Sequence, residues 1–497
     1  MYRFLFCSIC TVLLASTSFA AQPISHRYQV KIDQAATRAH VDAELTMDGT
    51  QLALYNVIPM PNLPEGQASY LENLKITDTQ GQAIPYKNNG EGEFEITGAA
   101  NTASRKIHLS YDVRLEHDRL EWPPGNEEVL YHTDEGVMMT GYTLFLVPSQ
   151  TMNGETQVEF LLPAGWHANT AMRADTSHQQ GHSMFIAKTR RELVNNAYFF
   201  GTAHADQMDA GGLQLTLVLG QRYWPQRQMF KDLLGKQLHT YLQLFGHKPS
   251  GERYLIIINQ GDSGDGGAFS SSFSQFLRGD AELATRQIWG RVLAHELLHF
   301  WNGLSLIPQD DREEWFKEGI TDYLTISTMA QNKFVDQRYV QQWLENLSRG
   351  QTVARRAQGI KGSIRDAAKD KHQNWLLVYG GGSIAGIALD IELRKNSNNH
   401  LSLASLMQAM YEEFALTGKH YQLSDVVRVA NRLSHKDMTP MFNQLVENQG
   451  IFDLGPMFND IGLQLDQYLM LEHSLRKNPK ASSLERARYS QIFGSNF

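Results

Sequence analysis

From about Ile24 to Ala203 apolar and polar residues alternate in short runs, divided by Gly, Pro and Asn. Tyr28-Gln29-Val30-Lys31-Ile32, Lys106 to Val113 and Val158 to Leu162 show the pattern. A strand turns successive side chains to opposite faces, so this period of two predicts an antiparallel β domain. The texture changes after about Asp206. Leu213 to Leu219 predicts a strand, Gln228 to Phe245 an amphipathic helix, and Tyr254 to Ile258 a buried strand. From Arg286 onward the apolar spacing is helical. Ser424-Asp425 and Thr439-Pro440 read as helix starts, with Pro440 suited to a first turn. The expected class is α+β. After a leader over 1–20, it comprises an N-terminal β-rich domain over 21–205, a mixed sheet-helix unit over 206–345 and a helical region over 346–497.

The leader carries Arg3, an apolar stretch from Phe4 to Ala15 and the small-x-small site Ser18-Phe19-Ala20. It reads as a secretory signal cleaved after Ala20, too short for the ~20 residues a membrane span needs. Cys7 and Cys10, the only cysteines, both fall within it. The mature chain therefore has no disulfide, thiolate metal site or cysteine nucleophile. A disulfide-free exported protein fits the Gram-negative periplasm.

Charge and composition narrow the partners. Lys plus Arg number 45 against 53 Asp plus Glu, a net of −8, and removing Arg3 leaves 44 − 53 = −9. That mildly acidic balance, without a basic block, does not suggest a nucleic-acid or anionic-membrane binder. A mean hydropathy of −0.38, with no apolar run of about 18 residues seen beyond the leader, argues against a membrane span in the mature chain. The Gly-rich loop Gly261 to Gly267 has no Gly-Lys-Ser/Thr to close it, so it is no phosphate loop.

The chemistry concentrates at His295-Glu296-Leu297-Leu298-His299, within a helical run whose apolar positions include Trp289, Leu293, Leu297 and Phe300. Histidines at i and i+4 share a helix face, where both imidazoles can reach one zinc ion. Glu296, beside the first of them, is placed to take a proton from a water polarised by that ion. Hydrolytic zinc takes three protein ligands, and Glu318, 19 residues after His299, supplies the third. Asp322 lies four residues further along the same helix face and can accept the second N–H of a ligand histidine. Gly303 suits the stop of the first helix.

These residues resemble the gluzincin metallopeptidases, and among them the glycyl aminopeptidase family. The resemblance rests on His299-Phe300-Trp301-Asn302 and on Trp315-Phe316-Lys317-Glu318-Gly319-Ile320-Thr321-Asp322-Tyr323. Leu193-Val194-Asn195-Asn196, Phe200-Gly201 and Tyr379 to Arg394 extend it more weakly. It implies a β-rich N-terminal domain, a thermolysin-like catalytic domain, one zinc per chain and a peptide or protein substrate. It also implies that Tyr379 stabilises the oxyanion of peptide hydrolysis. The glycines of Tyr379-Gly380-Gly381-Gly382 would let the backbone approach substrate or loosen a helix start.

Two features depart from that family. The chain ends about 30 residues after Leu463-Gln464-Leu465, too few for the PDZ domain many members append. Where the family has Gly-Gly-Leu-Glu-His on the strand edge over the site, this chain has Gly266-Gly267-Ala268-Phe269-Ser270. Phe269 thus stands where a glutamate is expected to bind the substrate's free amine, with Asp262 or Asp265 as possible replacements. Three readings follow: a zinc aminopeptidase with altered amine recognition, an endopeptidase or broad exopeptidase of the same fold, and a non-catalytic peptide-binding protein. The intact general base Glu296 argues against the last.

Overall fold

The computed structural model describes residues 24–59, 63–97, 104–115, 130–150, 152–176, 183–261, 266–277, 279–282, 285–371, 373–495 and 497. The secretory leader with its two cysteines, and Asp262 and Asp265, lie outside the described residues.

In the strand Ile24–Ile32 the predicted alternation is realised, with Tyr28, Val30 and Ile32 buried between exposed Gln29 and Lys31. It opens a seven-stranded sheet, ordered Arg173–Ala174, Ser183–Ala187, Glu155–Leu161, Ile24–Ile32, Arg38–Met47, Arg105–Arg114, Leu71–Thr77. Every pair is antiparallel except Ile24–Ile32 with Glu155–Leu161, which run parallel. Two four-stranded sheets complete the N-terminal part. Its own core holds Val30, Val41, Leu109, Tyr111, Phe145, Phe160 and Tyr198.

A five-stranded mixed sheet follows, ordered His204–Ala210, Leu213–Leu219, Arg253–Gln260, Ser272–Leu277, Gly266–Phe269. The three central strands are parallel and the two edges antiparallel. Both faces are covered, so Tyr254 to Ile258 reads as a continuous apolar run. One face packs Ile256, Ile258 and Phe273 against the helices Arg227–Phe245 and Arg286–His299. The other packs Val218, Leu255, Ile257 and Phe276 against Met138, Ala197 and Phe199 of the N-terminal part.

Among the described residues the helical region shares its main core with the sheet, in one cluster that runs from Leu213 through to Phe493. The predicted starts appear as helices Leu423–Ser434 and Thr439–Phe442, the latter with Pro440 in its first turn. One stretch escaped the hydropathy reading: the helical segment Leu376–Asn396 is long and apolar enough to cross a membrane, with mean hydropathy 1.4. Most of its apolar stretch is buried inside the fold, the setting of a core helix. The helices also give way near the end to a hairpin, Leu463–Gln467 with His473–Lys477, before the last helix Ser483–Phe493.

Candidate metal centre

The helix Arg286–His299 is seated on the sheet by its aromatic ends. Trp289 packs on Phe230 with ring centroids 4.8 Å apart, and Phe300, just past the last turn, packs on Tyr254 at 4.0 Å. This fixes the rotation of the helix and brings His295 and His299 into the buried interior, their rings 4.6 Å apart and nearly perpendicular. The chain then turns at Gly303, whose φ of +122° suits glycine.

The segment that carries Glu318 and Asp322 is divided. A 3₁₀ turn, Asp311–Glu313, leads into a π-helical turn, Trp315–Gly319, and then the α-helix Ile320–Gln331. Glu318 sits in the π-helical turn, a distortion frequent at functional sites. Its Oε2 lies 3.3 Å from His295 Nε2 and 3.2 Å from His299 Nε2. Ligand atoms bound to zinc at about 2.0–2.1 Å in a tetrahedral shell stand about 3.3 Å apart. Glu318 Oε2 therefore stands from each imidazole Nε2 at the spacing of two ligands on one zinc.

The remaining ring nitrogens are committed elsewhere. His299 Nδ1 donates to the Asn302 carbonyl at 2.9 Å, leaving the Nε2 lone pair for a metal. His295 Nδ1 lies 3.1 Å from Asp322 Oδ1, and Arg291 Nη2 donates to Asp322 Oδ2 at 2.6 Å. Asn302 in turn donates from its side chain to the carbonyls of Phe316 and Lys317 and to Thr321 Oγ1, each at 3.1 Å, tying the two helices together.

The electrostatics follow from this wiring. Burial would lower the His295 pKa, but hydrogen bonds to Asp322 and Glu318 outweigh it and raise the group to about 10. Burial pushes the Asp322 carboxyl up, and Arg291 together with His295 more than reverses this, holding it well below the ordinary range. Glu318 is likewise driven down against burial by Lys371, His299 and Lys317. Glu296 is raised, with burial outweighing the two histidines. A carboxylate oxygen of Glu296 and the candidate ligand nitrogens of His295 and His299 all lie within 4.8 Å of one another.

Tyr379 comes to the same place from a third segment, the π-helical turn Leu376–Gly381. Its ring stands 6.2 Å from that of His295, inclined by 23°. Burial and the negative charge of Glu318 raise its hydroxyl pKa, so it is a hydrogen-bond donor throughout the neutral range. Of the glycines after it, Gly381 and Gly382 serve packing: a Cβ on Gly382 would collide with the Trp315 carbonyl and one on Gly381 with the Ile364 side chain.

Gly266–Phe269 forms the sheet edge beside the metal helix, as the resemblance implies. The side chains divide by the strand's alternation. Ala268 packs on the helix side, whereas Phe269 turns to the opposite face, 2% exposed, with its ring 6.3 Å from Tyr142. Phe269 is thus a core residue between the N-terminal part and the sheet, and the expectation that it meets substrate is corrected. The hairpin joining this edge strand to Ser272–Leu277 is held by the segment before it. Ser270 N donates to the Asn195 carbonyl, and Asn196 Oδ1 accepts from Ser271 N at 2.9 Å and from Ser272 Oγ at 3.0 Å.

Sequence reasoning missed Arg291, Lys371 and the roles of Asn195, Asn196 and Asn302. Arg291 had a usable signal, being four residues before His295 on one helix face. Asn302 lay inside the quoted motif without an assigned contact. Lys371 had none, because its contact with Glu318 spans 53 residues.

Residues 20–201 match the model of the Peptidase M61 N-terminal domain. A search of curated proteins gives no significant match. The fold is similar to that of an aminopeptidase N family protein from Idiomarina loihiensis, with TM-score 0.76, 18% identity, and coverage of 89% of this chain and 79% of that one. It is also similar to a two-domain M1 zinc metallopeptidase variant bound to L-arginine, with TM-score 0.59, 13% identity, and coverage of 87% and 95%. The chain thus joins an N-terminal stretch that matches the Peptidase M61 N-terminal domain to a fold similar to those of these two structures.

Proposed function

We propose that the protein is an exported, zinc-dependent peptidase, acting in the periplasm, with one zinc held by His295, His299 and Glu318. The observation that carries the reading is the 3.2–3.3 Å spacing of Glu318 Oε2 from both imidazole Nε2 atoms. When bound, the zinc would polarise the scissile carbonyl and lower the pKa of a water toward ~7. Glu296 accepts the proton of the attacking water and passes it to the leaving amine. Its raised pKa supports both halves of that shuttle, since a carboxyl nearer neutrality also donates. Tyr379 donates its hydroxyl hydrogen to the oxyanion that develops on the carbonyl. Asp322 and Asn302 hold the imidazoles in the tautomers that present Nε2.

The cut is that of an aminopeptidase-like enzyme relaxed at the substrate's amine. An ammonium bound in a closed site requires a carboxylate or several acceptors. On the edge strand Phe269 turns its side chain away from the metal helix into the core and so offers the amine no acceptor, and its neighbour Ser270 is neutral. A panel of peptides with free and acetylated amino termini, assayed before and after chelation, tests the proposal. Hydrolysis that is lost on chelation and restored by zinc is expected. Acetylation should reduce kcat/KM by less than about tenfold, under ~1.4 kcal/mol. A wholly inert panel would refute the peptidase reading, and a strict demand for the free amine would refute the relaxed cut.

A further inference from the structure

Lys371 touches the third ligand from the side away from the histidines. Its Nζ donates to Glu318 Oε1 at 2.7 Å and to Glu314 Oε2 at 2.9 Å. Lys317 Nζ stands farther off, 3.4 Å from the same Glu318 oxygen, and pairs with Glu314 at 3.2 Å. The two oxygens of Glu318 are therefore divided, Oε2 toward His295 and His299 and Oε1 toward an ammonium.

A carboxylate can hold a cation through one oxygen or through both. Swinging Oε1 onto the metal would break a charge-assisted bond of 2.7 Å, and such bonds are roughly twice as strong as neutral ones. It would also leave the Lys371 ammonium, only 22% exposed, with Glu314 as its one acceptor among the described residues, and Glu314 already serves Lys317. Resting on the zinc reading above, we propose that Lys371 is a positioning residue that confines Glu318 to one-oxygen coordination. Room then remains beside the metal for both water and a substrate carbonyl, which a hydrolytic site needs open. A salt bridge serving stability alone would leave the metal's coordination number unchanged.

Cobalt(II) reports this directly, because its visible absorption is intense in four-coordinate surroundings and weak in higher coordination. Wild type, Lys371→Met and Lys371→Arg are loaded with one Co²⁺ per chain, and zinc forms are assayed in parallel. In Lys371→Met the metal should stay bound, the visible band should weaken as coordination rises, and kcat should fall about tenfold with little change in KM. Lys371→Arg, which keeps a charged donor, should retain the band and most of kcat. An unchanged band in Lys371→Met, loss of its metal, or an Arg variant that behaves like the Met variant would each overturn the proposal. Should Lys371→Met not fold, Lys371→Gln is read in the same way. Failure of the wild type to take up any metal would instead overturn the zinc reading itself.

Discussion

Gly319 and Gly382 meet backbone to backbone: a Cβ on Gly319 would overlap Gly382 Cα. Ser383 Oγ reinforces the contact by donating to the Gly319 carbonyl at 3.1 Å. This contact seats the turn carrying Glu318 against the turn carrying Tyr379, so two distant segments converge on one site. Gly382→Ala forces the helices apart. We expect a stability loss of about 1–3 kcal/mol, the usual cost of overpacking, measured by denaturant unfolding, with kcat falling further than zinc content does. Unchanged stability and turnover would show that the contact is dispensable.

Asp322 links Arg291 to His295, and Asp322→Asn replaces its charged acceptor with an amide. Zinc affinity should weaken about ten- to a hundredfold, read by competition with a chromogenic chelator. Arg291→Met, which leaves Asp322 in place, should have a smaller effect in the same direction. Wild-type affinity in Asp322→Asn would mean that His295 is oriented by other contacts.

Glu296→Gln should lose turnover by roughly a hundredfold or more while keeping zinc, as expected on removing a general base. The same substitution should stabilise the metal-free protein. A carboxyl whose folded pKa is raised holds its proton more tightly folded than unfolded, so its contribution to stability falls as pH rises above the ordinary carboxyl value of about 4.3. The neutral amide has no such slope. The melting-temperature advantage of Glu296→Gln should therefore grow from acid toward neutral pH, and an advantage that shrank instead would contradict the raised carboxyl.

Asn196 is fully buried and anchors the hairpin behind the edge strand through Ser271 and Ser272, while donating to the Glu192 carbonyl at 2.7 Å. Asn196→Ala strands those partners, at about 1–3 kcal/mol for an unsatisfied buried group. Peptide kcat/KM should drop through KM with zinc content unchanged. Loss of zinc in this variant would mean that the hairpin supports the metal ligands as well.

The legible parts of the molecule are those where a short stretch carries its own periodicity. Val30 and Ile32 alternate with exposed Lys31, and the strand Ile24–Ile32 follows from that alone. His295 and His299 share a face because the helix repeat puts them there. Glu318 was reachable by spacing and motif, yet its π-helical turn was not, since that turn depends on packing against Gly382, 63 residues on. Lys371 belongs to no pattern, and only the fold brings it to Glu318. Phe269 misled for a related reason. Its place on an edge strand was legible, but which face it turned to depended on the partner sheet that buries it with Phe199 and Ile257. The terminal hairpin, Leu463–Gln467 with His473–Lys477, is short and weakly apolar, so its five-residue strands gave no clear period.

The claim that His295, His299 and Glu318 together hold one zinc is tested most directly by metal analysis of purified wild-type and His299→Ala proteins. One zinc per chain is expected in the wild type. Little or none should remain in His299→Ala after dialysis against a weak chelator, because two ligands make a poor site. Full zinc occupancy in His299→Ala, or a wild type with no affinity for zinc, would contradict the assignment.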